Sequence, residues 1–174
     1  HFLFSTTIRN NIAFSNEEID DDSIYEASRL SHIHDDIMAF PNSYHTVVGE
    51  RGVSLSGGQK QRVSIARALL VDPEVLILDD SLSAVDAQTE EAILANLESV
   101  RNGKTNIITA HRMSAVKHAD FIIVLDEGTI VESGTHNSLI EKKGWYYETY
   151  QAQALQDKLS RNLDHLTKGG DEND

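Results

Sequence analysis

Along residues 56–70, apolar side chains recur at Val63, Ala66 and Leu70, with Ile65 and Leu69 widening the stripe. This i, i+3, i+7 spacing predicts an amphipathic helix, which Asp72-Pro73 then stops. The pattern changes at Val75-Leu76-Ile77-Leu78, a short continuous apolar run closed by Asp79-Asp80. Such a run predicts a strand buried on both faces. A second helix follows, with Ile93, Leu97 and Val100 as its stripe, Glu90 and Glu91 in its first turn, and an end near Asn102-Gly103. Asn106-Ile107-Ile108-Thr109 predicts another buried strand, and a short helix is expected around residues 114–118. Phe121-Ile122-Ile123-Val124-Leu125 and Thr129-Ile130-Val131-Glu132 predict two more strands, joined as a hairpin by Asp126-Glu127-Gly128.

The chain up to about Leu70 reads as helical. An acidic, solvated run, Glu17-Glu18-Ile19-Asp20-Asp21-Asp22, leads into a helix beginning near Ser23. Strand, helix, strand, helix, strand is the order of an α/β fold with a parallel sheet. From Gln151 an amphipathic helix is expected, then a disordered polar tail from Lys168 to Asp174. The expected division is 1–70, 71–150 and 151–174. So few strands hardly make a sheet covered on both faces, and the chain opens inside the apolar segment Phe2-Leu3-Phe4. A domain cut in its middle is therefore expected, with exposed strand edges.

Composition narrows the function. Of 174 residues, 40% are hydrophobic and 25% charged, which is the ordinary globular range. There is no cysteine, so disulfides, thiolate metal sites and cysteine nucleophiles are excluded. Fifteen basic against 28 acidic residues give a net charge of −13, which argues against a nucleic-acid groove or an anionic membrane surface. No apolar run approaches the roughly 20 residues that span a bilayer.

In open α/β sheets, ligands lie beyond the carboxyl ends of the strands. Asp79-Asp80 ends one predicted strand there and Thr109-Ala110-His111 another. Carboxylates beside an imidazole suit magnesium-assisted phosphoryl chemistry, although Asp79 and Asp80 would equally cap the next turn. Ser56-Gly57-Gly58-Gln59 opens the predicted 56–70 helix. Paired glycines allow close backbone approach, and free amides at a helix start favour a phosphate, although the same residues also make an ordinary N-cap. His32-Ile33-His34-Asp35-Asp36 resembles a metal site in composition only. On a helix His32 and His34 would face apart, so they receive no ligand role.

Leu55-Ser56-Gly57-Gly58-Gln59, Gln61-Arg62, the apolar strand ending in Asp79, and His111 together strongly resemble the nucleotide-binding domain of an ABC transporter, over about residues 2–153. The resemblance implies the P-loop NTPase (ABC ATPase) fold, present as its helical subdomain and the second half of a mostly parallel core sheet. It makes Ser56 to Gln59 the signature loop, Asp79 the Walker B aspartate and magnesium ligand, and Asp80 and His111 the catalytic base position and switch histidine. Ser83-Ala84-Val85-Asp86 becomes the D-loop, with Ser83 and Asp86 at the nucleotide. Thr46-Val47-Val48-Gly49-Glu50-Arg51-Gly52 resembles the X-loop of multidrug and lipid exporters, which gives Glu50 a coupling role. The implied ligands are ATP and Mg2+. The implied partners are a second ABC subunit and a transmembrane domain, which place the chain at the cytoplasmic face of the cell membrane.

Two departures from the family pattern matter. No G-x-x-x-x-G-K-[ST] loop is present, and Gly103-Lys104-Thr105 lies in the wrong order of elements and reads as a helix-ending turn. The chain alone should therefore be inactive. Where the family places Glu after the Walker B aspartate, Asp80 stands here. A shortened base implies slow hydrolysis at this site and favours the degenerate-site subunit of a heterodimer over a homodimeric exporter. Two other classes remain: a soluble ABC ATPase outside transport, against which the acidity and the X-loop argue, and a non-enzymatic module that only docks on partners.

Overall fold

A computed structural model describes residues 2–14, 16, 18–49 and 52–168. They form two compact units, 1–111 and 112–174.

The first unit opens with three short helices, α1 (Ile8–Ala13), α2 (Asp21–Leu30) and α3 (His34–Met38), and a 3-10 turn at Ser43–His45. Asp20 caps α2 by accepting from the Ser23 amide, so the acidic run starts the helix two residues before Ser23. His32 is not helical: its φ of 55° makes the left-handed turn between α2 and α3. The His34 ring meets the Tyr44 hydroxyl at 2.8 Å, and no group of three metal-ligating side chains occurs among the described residues.

Helix α4 (Gly57–Leu70) buries Val63, Ile65, Ala66 and Leu69 of the predicted stripe together with Gln61, whereas Leu70, at its last position, is only half-buried against the core. Strand β1 (Val75–Asp79) pairs in parallel with β2 (Thr105–Thr109), and α5 (Ala87–Val100) crosses between them. The expectation of doubly buried strands is overturned. Leu76 and Leu78 are buried, but Val75 and Ile77 on the opposite face are 52% and 62% exposed, and Ile107 on β2 is 47% exposed. An apolar run records the chemistry of both faces, whereas burial needs a layer on each, and here the helices cover one. Val100 is also exposed; the α5 stripe runs through Glu90, Ile93 and Leu97 and is continued by the buried Arg101. Residues 101–104 form the predicted turn, with Gly103 at φ 81° and Lys104 paired to Asp72 at 2.6 Å. One core joins α1, α2, α4, α5 and β1.

The second unit holds α6 (Met113–Val116), the antiparallel hairpin of β3 (Ile122–Asp126) and β4 (Thr129–Gly134), α7 (His136–Lys142) and α8 (Trp145–Lys168). The predicted hairpin forms, but Asp126 pairs with Thr129 and joins the strand, leaving Glu127 and Gly128, with φ of 45° and 78°, as a tight two-residue turn. Helix α8 begins at Trp145 rather than Gln151, because Glu132 supplies its start. The carboxylate accepts from the Trp145 amide at 2.6 Å and the Tyr146 amide at 3.2 Å. Tyr146 is buried in this unit's core, whereas Trp145 is exposed. Lys168 belongs to α8, and the tail at 169–174 lies outside the described residues, as do Glu17 and Glu50. No described helix is long and apolar enough to cross a membrane.

Candidate nucleotide site

The first turn of α4 carries the glycine-rich loop. The Ser56 hydroxyl accepts from the Gln59 amide at 3.2 Å, and the Gln59 side chain returns to the Ser56 amide at 3.0 Å, a reciprocal capping box. The amides of Gly57 and Gly58 have no intrahelical acceptor at these first positions, and the Ser56 O–H proton stays available to donate. The paired glycines also serve packing. A Cβ on Gly58 would lie 2.6 Å from the Ala84 carbonyl oxygen, and one on Gly57 3.4 Å from the Ala84 Cβ.

The loop after β1 is fastened to α4 by Gln61, which is 3% exposed. Its Nε2 donates to the Asp80 carbonyl at 3.2 Å and the Ser83 hydroxyl at 3.0 Å, and its Oε1 accepts from the Ala84 amide at 2.9 Å. The structure thus brings Gly57, Gly58, Asp80 and Ser83 together around a side chain that the sequence reading noted without a role. Asp86 caps α5, accepting from the Thr89 amide at 3.0 Å, and that bond holds its carboxyl below the usual aspartate range.

Asp79 stands at the end of β1, opposite Thr109 in the parallel register. The Thr109 hydroxyl donates to Asp79 Oδ1 at 2.6 Å and accepts from the Asp80 amide at 3.0 Å. A strand neighbour thereby orients both acidic residues. Asp80 has φ 47°, a left-handed conformation that Asp tolerates better than most residues. His111 lies two residues beyond the end of β2 and is exposed.

These residues fit a magnesium-nucleotide ligand. Asp79 is a solvent-facing carboxylate with one oxygen engaged by Thr109. One or two carboxylates completed by phosphate oxygens and water are the usual Mg2+ environment.

Comparison with known proteins agrees. A family model for the ABC transporter matches residues 1–83. The chain is 52% identical over 155 residues to a probable multidrug resistance ABC transporter ATP-binding/permease protein of Bacillus subtilis, covering 89% of this chain and 26% of that protein. It is 52% identical over 158 residues to the multidrug resistance-like ATP-binding protein MdlA of Escherichia coli, covering 91% of this chain and 27% of the relative. A bacterial Atm1-family ABC exporter solved with ATP bound superposes with a TM-score of 0.82 at 41% identity, over 87% of this chain and 27% of the other. The chain spans about a quarter of the length of these relatives. The glycine-rich start of α4, the acidic strand end and the family match coincide in one stretch of sequence, and the chain is part of an ABC transporter nucleotide-binding domain, homologous to the ATP-binding proteins of multidrug exporters.

Proposed function

We propose that this chain is the ATP-binding part of an ABC exporter, and that its signature loop completes the ATP site of an opposite subunit while Asp79 and Asp80 serve its own. The carrying observation is the Gln61 bridge, which joins the loop bearing Asp80 to the helix bearing Ser56. Residues 1–70 act as the helical subdomain, 71–150 as the second half of the ATPase core, and 151–174 as a C-terminal appendage. Ser56 donates its hydroxyl, and Gly57 and Gly58 their amides, to the γ-phosphate of ATP bound by the partner. Ser83 and Asp86 lie in the D-loop beside the same interface. Asp79 holds Mg2+, which supplies charge neutralisation on the phosphates. His111 positions the terminal phosphate, and Glu50 passes closure to a transmembrane domain at the cytoplasmic face of the membrane.

Asp80 is the base position, and its reach is short. Its amide is held by Thr109, and its carbonyl by Gln61 and Ser83. The backbone therefore cannot slide forward to replace the methylene that Glu would add. A base must come within roughly 2.6–3.2 Å of the water it activates, so hydrolysis here is slow and a heterodimer with a competent opposite site is favoured. ATP turnover by the full-length protein without a partner subunit tests this. Near-background turnover that Asp80→Glu restores supports it; brisk native turnover replaces it with a homodimeric exporter.

A further inference from the structure

Asp35 and Asp36 received no role from the sequence, yet Asp36 reaches the signature loop. Its Oδ1 accepts from Gln59 Nε2 at 2.9 Å, and its Oδ2 pairs with Arg62 NH1 at 2.8 Å. Arg62 also donates to the His32 carbonyl, so the carboxylate is tied back to the turn that precedes α3. The side chains of Arg62 and Asp36 are 15% and 32% exposed. Burial opposes ionisation of Asp36, but the hydrogen bonds from Arg62 and Gln59 outweigh it and hold the carboxyl below its usual range.

The consequence lies in the Gln59 amide. Its terminal torsion is soft and its two ends are nearly isosteric. The Ser56 amide is a donor and requires Gln59 Oε1; a flipped amide would present NH2 to it and break the capping box. An ionised carboxylate only accepts, so Asp36 selects the orientation in which Nε2 faces it and Oε1 faces Ser56. We propose that Asp36 is a positioning residue for the signature loop, acting through Gln59 to fix where Ser56 presents its hydroxyl to the γ-phosphate of the partner's ATP. This rests on the reading that Ser56 acts across the dimer interface. The chain Arg62–Asp36–Gln59–Ser56 spans two elements, so it defines the loop more tightly than the capping box alone.

The test is steady-state ATPase kinetics of the full-length transporter in its native assembly with MgATP as substrate, read beside its unfolding midpoint. Ser56→Ala, Gln59→Ala, Asp36→Ala, Asp36→Asn and the Asp36→Ala/Gln59→Ala pair are compared. The expected result is a rise in KM of about fivefold for Asp36→Ala, the scale of one charge-assisted hydrogen bond only partly transmitted, and about twofold for Asp36→Asn. The pair should be no worse than Gln59→Ala alone, because Asp36 acts through that amide. If Asp36→Ala does not assemble, Asp36→Asn and Gln59→Ala carry the comparison. A raised KM for Ser56→Ala with none for the Asp36 variants overturns the positioning role and leaves the interface reading standing. An unchanged KM for Ser56→Ala overturns both. Additive effects of Asp36→Ala and Gln59→Ala, or KM changes that merely follow a fallen unfolding midpoint, overturn the route through Gln59.

Discussion

Gln61→Ala should be among the costliest single changes on this site, although Gln61 touches no substrate in the proposed arrangement. The side chain is 3% exposed and makes three hydrogen bonds, to the Asp80 carbonyl, the Ser83 hydroxyl and the Ala84 amide. At about 1 kcal/mol net each, the loss is about 3 kcal/mol. In a domain of this size 1 kcal/mol lowers the midpoint by roughly 2–4 °C, so thermal unfolding should fall by about 6–12 °C. Gln61→Glu separates bonding from packing. It keeps an acceptor for Ala84 but replaces the donor with a carboxylate facing the Asp80 carbonyl. The folded state then raises the introduced carboxyl's pKa, so its stability should be intact at low pH, where the group is protonated and can donate, and lost as pH rises through the raised value. A midpoint drop below about 2 °C for Gln61→Ala, or a pH-independent Gln61→Glu, would refute the role assigned to this side chain.

Gly58→Ala should destabilise by about 1–3 kcal/mol despite the usual helical advantage of alanine, because its Cβ would sit 2.6 Å from the Ala84 carbonyl. Gly57→Ala meets only ordinary contact at 3.4 Å and should leave the midpoint nearly unchanged; paired thermal melts decide. Glu132→Ala should cost about 1–2 kcal/mol by uncapping α8. The protein's single tryptophan is Trp145, so its fluorescence should change at lower denaturant than the far-ultraviolet signal. The folded pKa of Asp36 is depressed, so its contribution is present above the usual aspartate value of about 3.9 and is lost as pH falls through the folded value. The stability gap between the native chain and Asp36→Asn should therefore close on acidification below about pH 4 and stay constant between pH 6 and 8.

What the sequence made legible was local. The α4 stripe, the Ser56 cap and the Asp126-Glu127-Gly128 turn each depend on residues within a few positions, and each appears where the spacing placed it. The strand faces did not follow, since Val75 and Ile77 are as apolar as Leu76 and Leu78, and only the layers around a sheet decide which pair is buried. The start of α8 was missed because its cap is Glu132, on another element. Gln61 and Asp36 escaped for the same reason: their partners lie 22 and 23 residues away for Ser83 and Gln59. A glutamine on the buried stripe of a helix was the one signal available, because such an amide must find partners.

The first turns of α4 are therefore held on two sides, by Gln61 to the loop after β1 and by Asp36 from α3. The described bonds of the two clamps go to different partners, which makes their independence testable. A helix is stiff over the single turn between Gly58 and Arg62, so a shift of the Ala84 carbonyl against Gly58 would carry Ser56 with it, whereas Asp36 acts on the Gln59 amide alone. For stability, Gln61→Ala and Asp36→Ala should add within about 0.5 kcal/mol. For ATP use they should not be equivalent: Gln61→Ala releases the loop bearing Asp80 as well as the helix, and so should lower kcat and raise KM together, while Asp36→Ala should act on KM. A coupling above about 1 kcal/mol in the stability cycle, or the same kcat loss from both variants, would show that the two clamps are one structural unit.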